Sequence, residues 1–446
     1  MKRIFSFLLF AALVLPAGCS KDNGGENPPP PTAATWDGIS VTEPEDLDET
    51  AKTATIMRAS DLAWLSQQSN ASVENTFDGW VFTLGKDLDL GGKPWKPIAQ
   101  WFTTNPVVFK GTFDGTNHTI KGLNVDTPDQ MNSALFGLVQ RSTIRNVRVE
   151  GSVRGKKQVA GICANAQEGS LIRHCLFEGV IQGTTEAEAN LGGICGWVEN
   201  GTTVINCHSK ATIEYGGNAN CFVGGIAGFV RAGALGESYI HDCSFAGKFE
   251  ESVAISSQKY CFGGIVGSIS GSTVTGCKNT ADISIGAANS TVHIGGIIGV
   301  ITSPPMQVYG CYNTGAITNN SKSGYTGGIT GEAQRGNNDS EYSLFLSCYN
   351  TGVVSPAPDE IFEAQAQGKD DGNFEIVFWS LLTHRSDCYY TAADKPLLTG
   401  TQRFSATEWP QADDPGWKIG NDPGEGKFWK SLGTPGTTNY PVLHWE

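Results

Sequence analysis

An eight-residue, glycine-rich pattern recurs six times in this chain: VAGICANA from residue 159, LGGICGWV from 191, VGGIAGFV from 223, FGGIVGSI from 262, IGGIIGVI from 294 and TGGITGEA from 326. Successive copies begin 32, 32, 39, 32 and 32 residues apart. Glycines this dense also occur in phosphate-binding loops, but such a loop occurs once per site and leads into a helix. Here the octet recurs, and strand-like sequence follows it each time. A repeat of this period specifies a stacked architecture, because one copy buries too little apolar surface to fold alone.

Strand periodicity assigns faces within the octet. Its fourth position is always isoleucine (Ile162, Ile194, Ile226, Ile265, Ile297, Ile329), and the positions two before, two after and four after are small or apolar. That set is expected to face inward, with Cys195 opposite Ile194. The seventh position holds Asn165, Trp197, Phe229, Ser268, Val300 and Glu332, a mixture that suits an outward position. A second element follows each octet: IRHCLFEGVI, VINCHSKATI, IHDCSFAGKF, VTGCKNTADI, VYGCYNTGAI and FLSCYNTGVV align on Cys175, Cys207, Cys243, Cys277, Cys311 and Cys348. An earlier copy, IRNVRVEGSV, fits with Val147 in the cysteine place. About three short strands per repeat, with isoleucines and cysteines in register, predict an all-β parallel β-helix. Each coil would add about 4.8 Å, so seven would span roughly 34 Å. A β-propeller would need four hairpin-linked strands per blade, and the turn pairs that hairpins favour are absent from the repeats.

These residues resemble the GLUG-repeat family, whose motif is a G-G-I-x-G octet followed by a C-x-N-x-G strand. Asn279, Asn313 and Asn350 match that asparagine, whereas Phe177, Ser209 and Phe245 depart from it. The resemblance extends to DLAWLSQQ at 61, FKGTFDGTNHTIKGL at 109 and YPVLHW at 440. It implies a right-handed β-helix in a surface-exposed or secreted bacterial protein of adhesin type; the repeat also occurs as an accessory region in some large surface proteases.

The chain opens MKRIFSFLLFAALVLPAGCS, a charged start and an apolar run too short to span a bilayer. A cysteine after small residues resembles a bacterial lipobox, with 1–18 as signal peptide and Cys19 as the lipidated residue. Residues 19–35, polar and then proline-rich, read as a flexible tether. Residues 36–135 read as an N-terminal cap with the first coils, 136–355 as the repeat β-helix, and 356–446 as a polar insertion and irregular C-terminal cap. Both ends of a solenoid expose strand edges that need cover. Ser60 is placed to cap a short helix, and Asp114-Gly115 to make a tight turn. Of eleven tryptophans only Trp197 lies within the repeats, which suits aromatic caps at the ends. The expected localisation is the outer membrane, facing the cell surface. The net charge of −14 argues against nucleic acid or an anionic membrane surface as partner, leaving the lipid as the only membrane contact.

Chemistry is sparse. Stacked cysteines point their Cβ atoms the same way, which suits a disulfide poorly, so the ladder is expected to hold free thiols; Cys221 with Cys261 is the pair left open, and Cys388 stands apart. His174, His208 and His241 sit beside ladder cysteines at differing offsets, which disfavours shared zinc. No nucleophile elbow, H-E-x-x-H or P-loop occurs, and neither a metal nor a cofactor is expected. Asp413, Asp414 and Asp422 read as turn residues more simply than as calcium ligands. A β-helix hydrolase or lyase would need acids converging across coils; Glu332, Glu214 and Glu250 supply no obvious pair. Trp197 and Phe229 fall at the same position of adjacent repeats, where their rings would stack on sugars or a partner protein, unless a loop or cap covers them. The expectation is a monomeric, non-catalytic binder of a glycan or surface protein, with polysaccharide processing and a structural or assembly role as alternatives.

Overall fold

The computed structural model describes residues 34–446 except 101–105, 185–187, 218, 256–258, 287, 289, 304–305, 322, 334–342, 356–382, 387, 391–400, 404, 406, 415, 423–424 and 426. The signal peptide, Cys19, most of the tether, the polar insertion from 356 and the Cys388 side chain therefore lie outside the described residues.

Each coil begins with an octet. In the copy at 191, Ala189–Gly192 forms one strand and Cys195–Glu199 the next, with a bend at Gly193-Ile194 between them. Thr203–Ile205, His208–Ser209 and Thr212–Gly217 complete the coil. Copies stack in parallel and in register: Val159 opposes Leu191, which opposes Val223, then Phe262, Ile294 and Thr326. The octets supply two sheets of seven strands, and the segments before the cysteines supply one of eleven. Parallel pairing of whole coils is what a β-helix requires and what hairpin-built blades lack. The chain is an all-β parallel solenoid.

The interior explains the repeat. All six octet isoleucines are fully buried, and the six ladder cysteines are buried thiols; burial pushes the Cys207 and Cys277 thiols up. The third octet position must be glycine because it faces the residue two after the cysteine. A Cβ on Gly193, Gly225 or Gly264 would lie 2.0, 2.2 or 2.4 Å from a side-chain atom of Ser209, Phe245 or Asn279. In the later coils that residue is asparagine, and the amides join coil to coil. Asn279 Nδ2 donates to Asn313 Oδ1 at 2.8 Å, and Asn313 Nδ2 donates to Asn350 Oδ1 at 2.8 Å. The residue before each ladder position turns the corner: Asn146, His174, Asn206, Asp242, Gly276, Gly310 and Ser347 all have φ between 50° and 59°. Asn, Asp and Gly tolerate this left-handed conformation best, which accounts for most of that column.

Several expectations need correction. Strict alternation fails at the bend: Ile194 and Cys195 both enter the main core, while Ala160 and Ala164, expected inward, form a separate buried cluster with Ala134. The chain turns at Gly-Ile, so two successive residues point inside and the sixth position faces a neighbouring strand row. Cys221 and Cys261 are both free; Cys221 opposes Tyr260 and Phe222 opposes Cys261, and this one-residue offset puts the two thiols on opposite faces. Helix α1 (Ala59–Ser69) is capped from Arg58, and Ser60 lies inside it. The Asp61 carboxylate accepts the backbone N–H groups of Met57 and Arg58 at 3.0 and 2.9 Å, and Leu62 and Leu65 join the solenoid core. The tight turn is centred on Thr116 and Asn117, both at positive φ, with Asp114 accepting the Thr116 N–H. Stacking also extends beyond the recognised repeats. Asn132–Ser133 and Phe136–Gln140 form an earlier octet-like pair, and Thr383–Ser386 pairs in parallel with Ser343–Leu346.

The C-terminal cap is seated along the flank of several coils. Trp417, Phe428, Trp429 and Leu443 cluster on the stacked rings of Tyr312 and Tyr349, whose centroids are 4.6 Å apart. Trp445 Nε1 donates to the Gly276 carbonyl at 2.9 Å, Tyr312 Oη donates to Glu446 at 2.9 Å, and Lys278 pairs with Glu446. Asp242, buried at its corner, lies 3.1 Å from both His241 and His444. Burial works to lower the His241 pKa, but the Asp242 carboxylate outweighs it and the pKa is raised.

Candidate functional site

Because each octet bends, its two strands present their outward residues to one another across an external crease that runs along the coils. The sixth-position glycines form its floor: a Cβ on Gly267 would lie 2.5 Å from the backbone nitrogen of Val223 on the other strand row. One wall carries Gln158, Asn190, Phe222, Cys261 and His293 in register. The other carries Asn165, Trp197, Phe229, Ser268, Val300 and Glu332. Most of these residues are buried although they point away from the core.

The crease changes character along its length. At one end, the Asn165 Oδ1 and both amide atoms of Asn190 are buried without a hydrogen-bond partner among the described residues. An aromatic stretch follows, where the two residues singled out from sequence come together. The Trp197 and Phe229 ring centroids are 4.5 Å apart, with Phe222 from the opposite wall 5.8 Å from Phe229. All three rings are half-buried, and Trp197 Nε1 is buried without a partner among the described residues. The Arg231 guanidinium lies 5.2 Å from the Trp197 ring centroid and pairs with Glu199 at 2.5 Å. The rings therefore offer edges and partial faces within a polar rim, not a flat platform. Phe222 was missed in the sequence because it precedes the octet and opposes no other aromatic: its register neighbours are Asn190 and Cys261.

The far end carries Lys259, Cys261, His293 and Glu332. Lys259 Nζ lies 2.9 Å and His293 Nε2 3.5 Å from the same Glu332 oxygen. Burial pushes the His293 pKa down to about 4 and the Cys261 thiol up. Cysteine beside histidine suggests a nucleophile and its base, but both shifts favour neutral groups, and a buried thiol raised in pKa is a poor nucleophile. Elsewhere Glu214 and Glu250 are register neighbours, yet Glu214 accepts from Gln182 at 2.9 Å and Glu250 pairs with Lys248 at 3.0 Å. Among the described residues no group of three or more His, Cys, Asp and Glu side chains is disposed to hold a metal ion, and His174, His208 and His241 share no such site. Asp414 accepts the Gln411 N–H at 2.8 Å, as a turn residue does.

The GLUG motif model matches residues 187–214, the octet at 191 with the strands that follow it. No curated protein matches the chain. Among solved structures, the chain is similar to one described as a "putative immunoglobulin A1 protease" from Bacteroides ovatus, with 21% identity over 63% of this chain and 84% of the other, and a TM-score of 0.46. A likeness of that degree bears on neither activity nor site. No described helix is long and apolar enough to cross a membrane.

Proposed function

Because the chain is a GLUG-repeat solenoid, we propose that it acts as a non-catalytic binding protein at a bacterial cell surface, recognising a glycan or a protein of a host or neighbouring cell through the outer face of its β-helix. The observation that carries the reading is the half-buried Trp197–Phe229–Phe222 cluster with Arg231 at its edge. Stacking of coils does not call for it, since Ser268 and Val300 fill the same row in the next two coils. Aromatic faces beside a charged rim suit the apolar faces and hydroxyl edges of sugars, and also a protein hot spot. In this proposal the chain is held at the outer membrane by lipid on Cys19 and faces outward.

Glycan-array and cell-binding assays on the purified chain test the reading. Binding that falls about tenfold or more in Trp197→Ala is the expected result, since one stacked aromatic contributes about 1 kcal/mol beyond its buried area. Polysaccharide turnover without binding to any array or cell would overturn it. Lipid attachment is read separately, as fatty-acid labelling that Cys19→Ser abolishes.

A further inference from the structure

The N-terminal cap holds a cleft of about 530 Å³ that lies apart from the crease and belongs to no repeat. Its size falls within the range of small-ligand sites, roughly 300–1,000 Å³. Trp64 of α1 and Phe77 and Trp80 of the following loop, together with Leu47, form its apolar surface, and all four are half-buried. Phe77 is central: its ring lies 6.3 Å from Trp64 and 5.8 Å from Trp80, and 5.1 Å from the buried Phe82 below.

The loop is fixed in shape. Phe77 has φ of 54°, a conformation that costs a bulky side chain energy and persists only where its surroundings impose it. Those surroundings are hydrogen bonds from Trp80 N to Phe77 O at 3.0 Å, Lys110 N to Thr76 O at 2.7 Å and Asn75 Nδ2 to Gln68 O at 3.0 Å. The cleft is thus formed before any ligand arrives.

Its rim has a single sign. Glu43, Glu49, Glu74 and Asp78 line it, all exposed, and among the described residues no basic side chain does. Lys52 lies outside the lining, its Nζ donating to the Asp78 carbonyl at 3.0 Å. Aromatic faces attract cations through the ring quadrupole, and surrounding carboxylates add a field of the same sense. A neutral sugar could use the rings and donate hydroxyls to the carboxylates, but it carries no charge to answer their summed field; an anion would be repelled. We propose that this cleft is a binding site for an organic ammonium group, quaternary or primary, seated among Trp64, Phe77 and Trp80 with its charge facing the acidic rim.

The test is titration of the full chain, followed by tryptophan fluorescence and calorimetry, with choline, its neutral isostere 3,3-dimethylbutan-1-ol, and glucosamine. Choline or glucosamine should bind at least about tenfold more tightly than the neutral isostere, and the tighter of the two shows whether a quaternary group or an amino sugar is preferred. Trp64→Ala should weaken binding about tenfold or more. The exposed set Glu43→Gln, Glu49→Gln, Glu74→Gln and Asp78→Asn, which leaves the core untouched, should weaken it several-fold and remove most of its dependence on salt. Equal binding of the neutral isostere, no binding by folded protein at tens of millimolar ligand, or full affinity in the rim variant would each overturn the proposal. Should Trp64→Ala fail to fold, the isostere and the rim variant decide the matter alone.

Discussion

Two asparagines show how differently the two faces of the same coils are built. Asn313, inside, has both amide atoms engaged: Oδ1 accepts from Asn279, and Nδ2 donates to Asn350 and to the Gly315 carbonyl. Asn190, in the external crease, is as deeply buried, yet its Oδ1 and Nδ2 have no partner among the described residues. In the last three coils the interior repeats one residue, because stacked amides satisfy one another. The crease is freed from that demand and changes from amide to aromatic to charged within a few coils. Variety at one position of a strict repeat marks the surface on which a solenoid can specialise.

The contrast can be broken experimentally, beginning with the interior. Gly225→Val would place a Cβ 2.1 Å from the Gly264 carbonyl and 2.2 Å from the Phe245 ring, and should abolish cooperative unfolding by circular dichroism; a normal melt would show that coils separate more readily than their register implies. Ile265→Ala should cost about 2–5 kcal/mol in urea denaturation, as buried isoleucines do. The crease has its own signature in pH. His293 titrates near 4 in the folded chain against 6.5 ordinarily, because of burial. As pH falls from 6.5 towards 4 the unfolded chain gains a proton that the folded chain refuses, so stability declines across that window, by up to about 3 kcal/mol. His293→Gln should flatten that slope relative to wild type; parallel slopes would remove His293 from the account. The smallest effects are the most discriminating. Asn313→Leu should cost about 1–3 kcal/mol by stranding its partners, whereas Asn190→Leu, which removes two unpaired polar atoms, should be neutral or stabilising by about 1 kcal/mol. Loss of stability in both would mean that Asn190 is satisfied in solution.

Much of the interior was legible in the sequence, because stacking writes itself as recurrence. The octets and cysteines gave register directly; the corner residues, a column of Asn, His, Asn, Asp, Gly, Gly and Ser before Val147 and the six ladder cysteines, stand in the sequence too but were not read as turns. The bend was not legible: period-2 reasoning assumes a straight strand, so Cys195 was placed opposite Ile194. The crease follows from that bend, and its walls pair residues from separate strands whose partnership no spacing announces. The octet of the coil at 132–155 escaped, though its second element at Val147 did not, because Phe136 takes the place of Cys163 and the octet is one residue short. The cap cleft escaped for a simpler reason, since it occurs once.

The flank-seated C-terminal segment has a consequence for the order in which the molecule assembles. Paired strands of neighbouring repeat coils lie 26 to 40 residues apart, so the solenoid can zip from any starting point. The bond from Trp445 to Gly276 spans 169 residues and that from Lys278 to Glu446 spans 168. Loop-closure entropy grows by only about 0.6 kcal/mol per doubling of length, so the added separation costs little. The anchors at Asp242, Gly276, Tyr312 and Tyr349 sit on successive coils, and the segment can dock only when all four are stacked at the right height. A solenoid that had skipped or slipped a coil would present those anchors about 4.8 Å out of step. Docking of the C-terminal strap is thereby a built-in inspection of the finished stack.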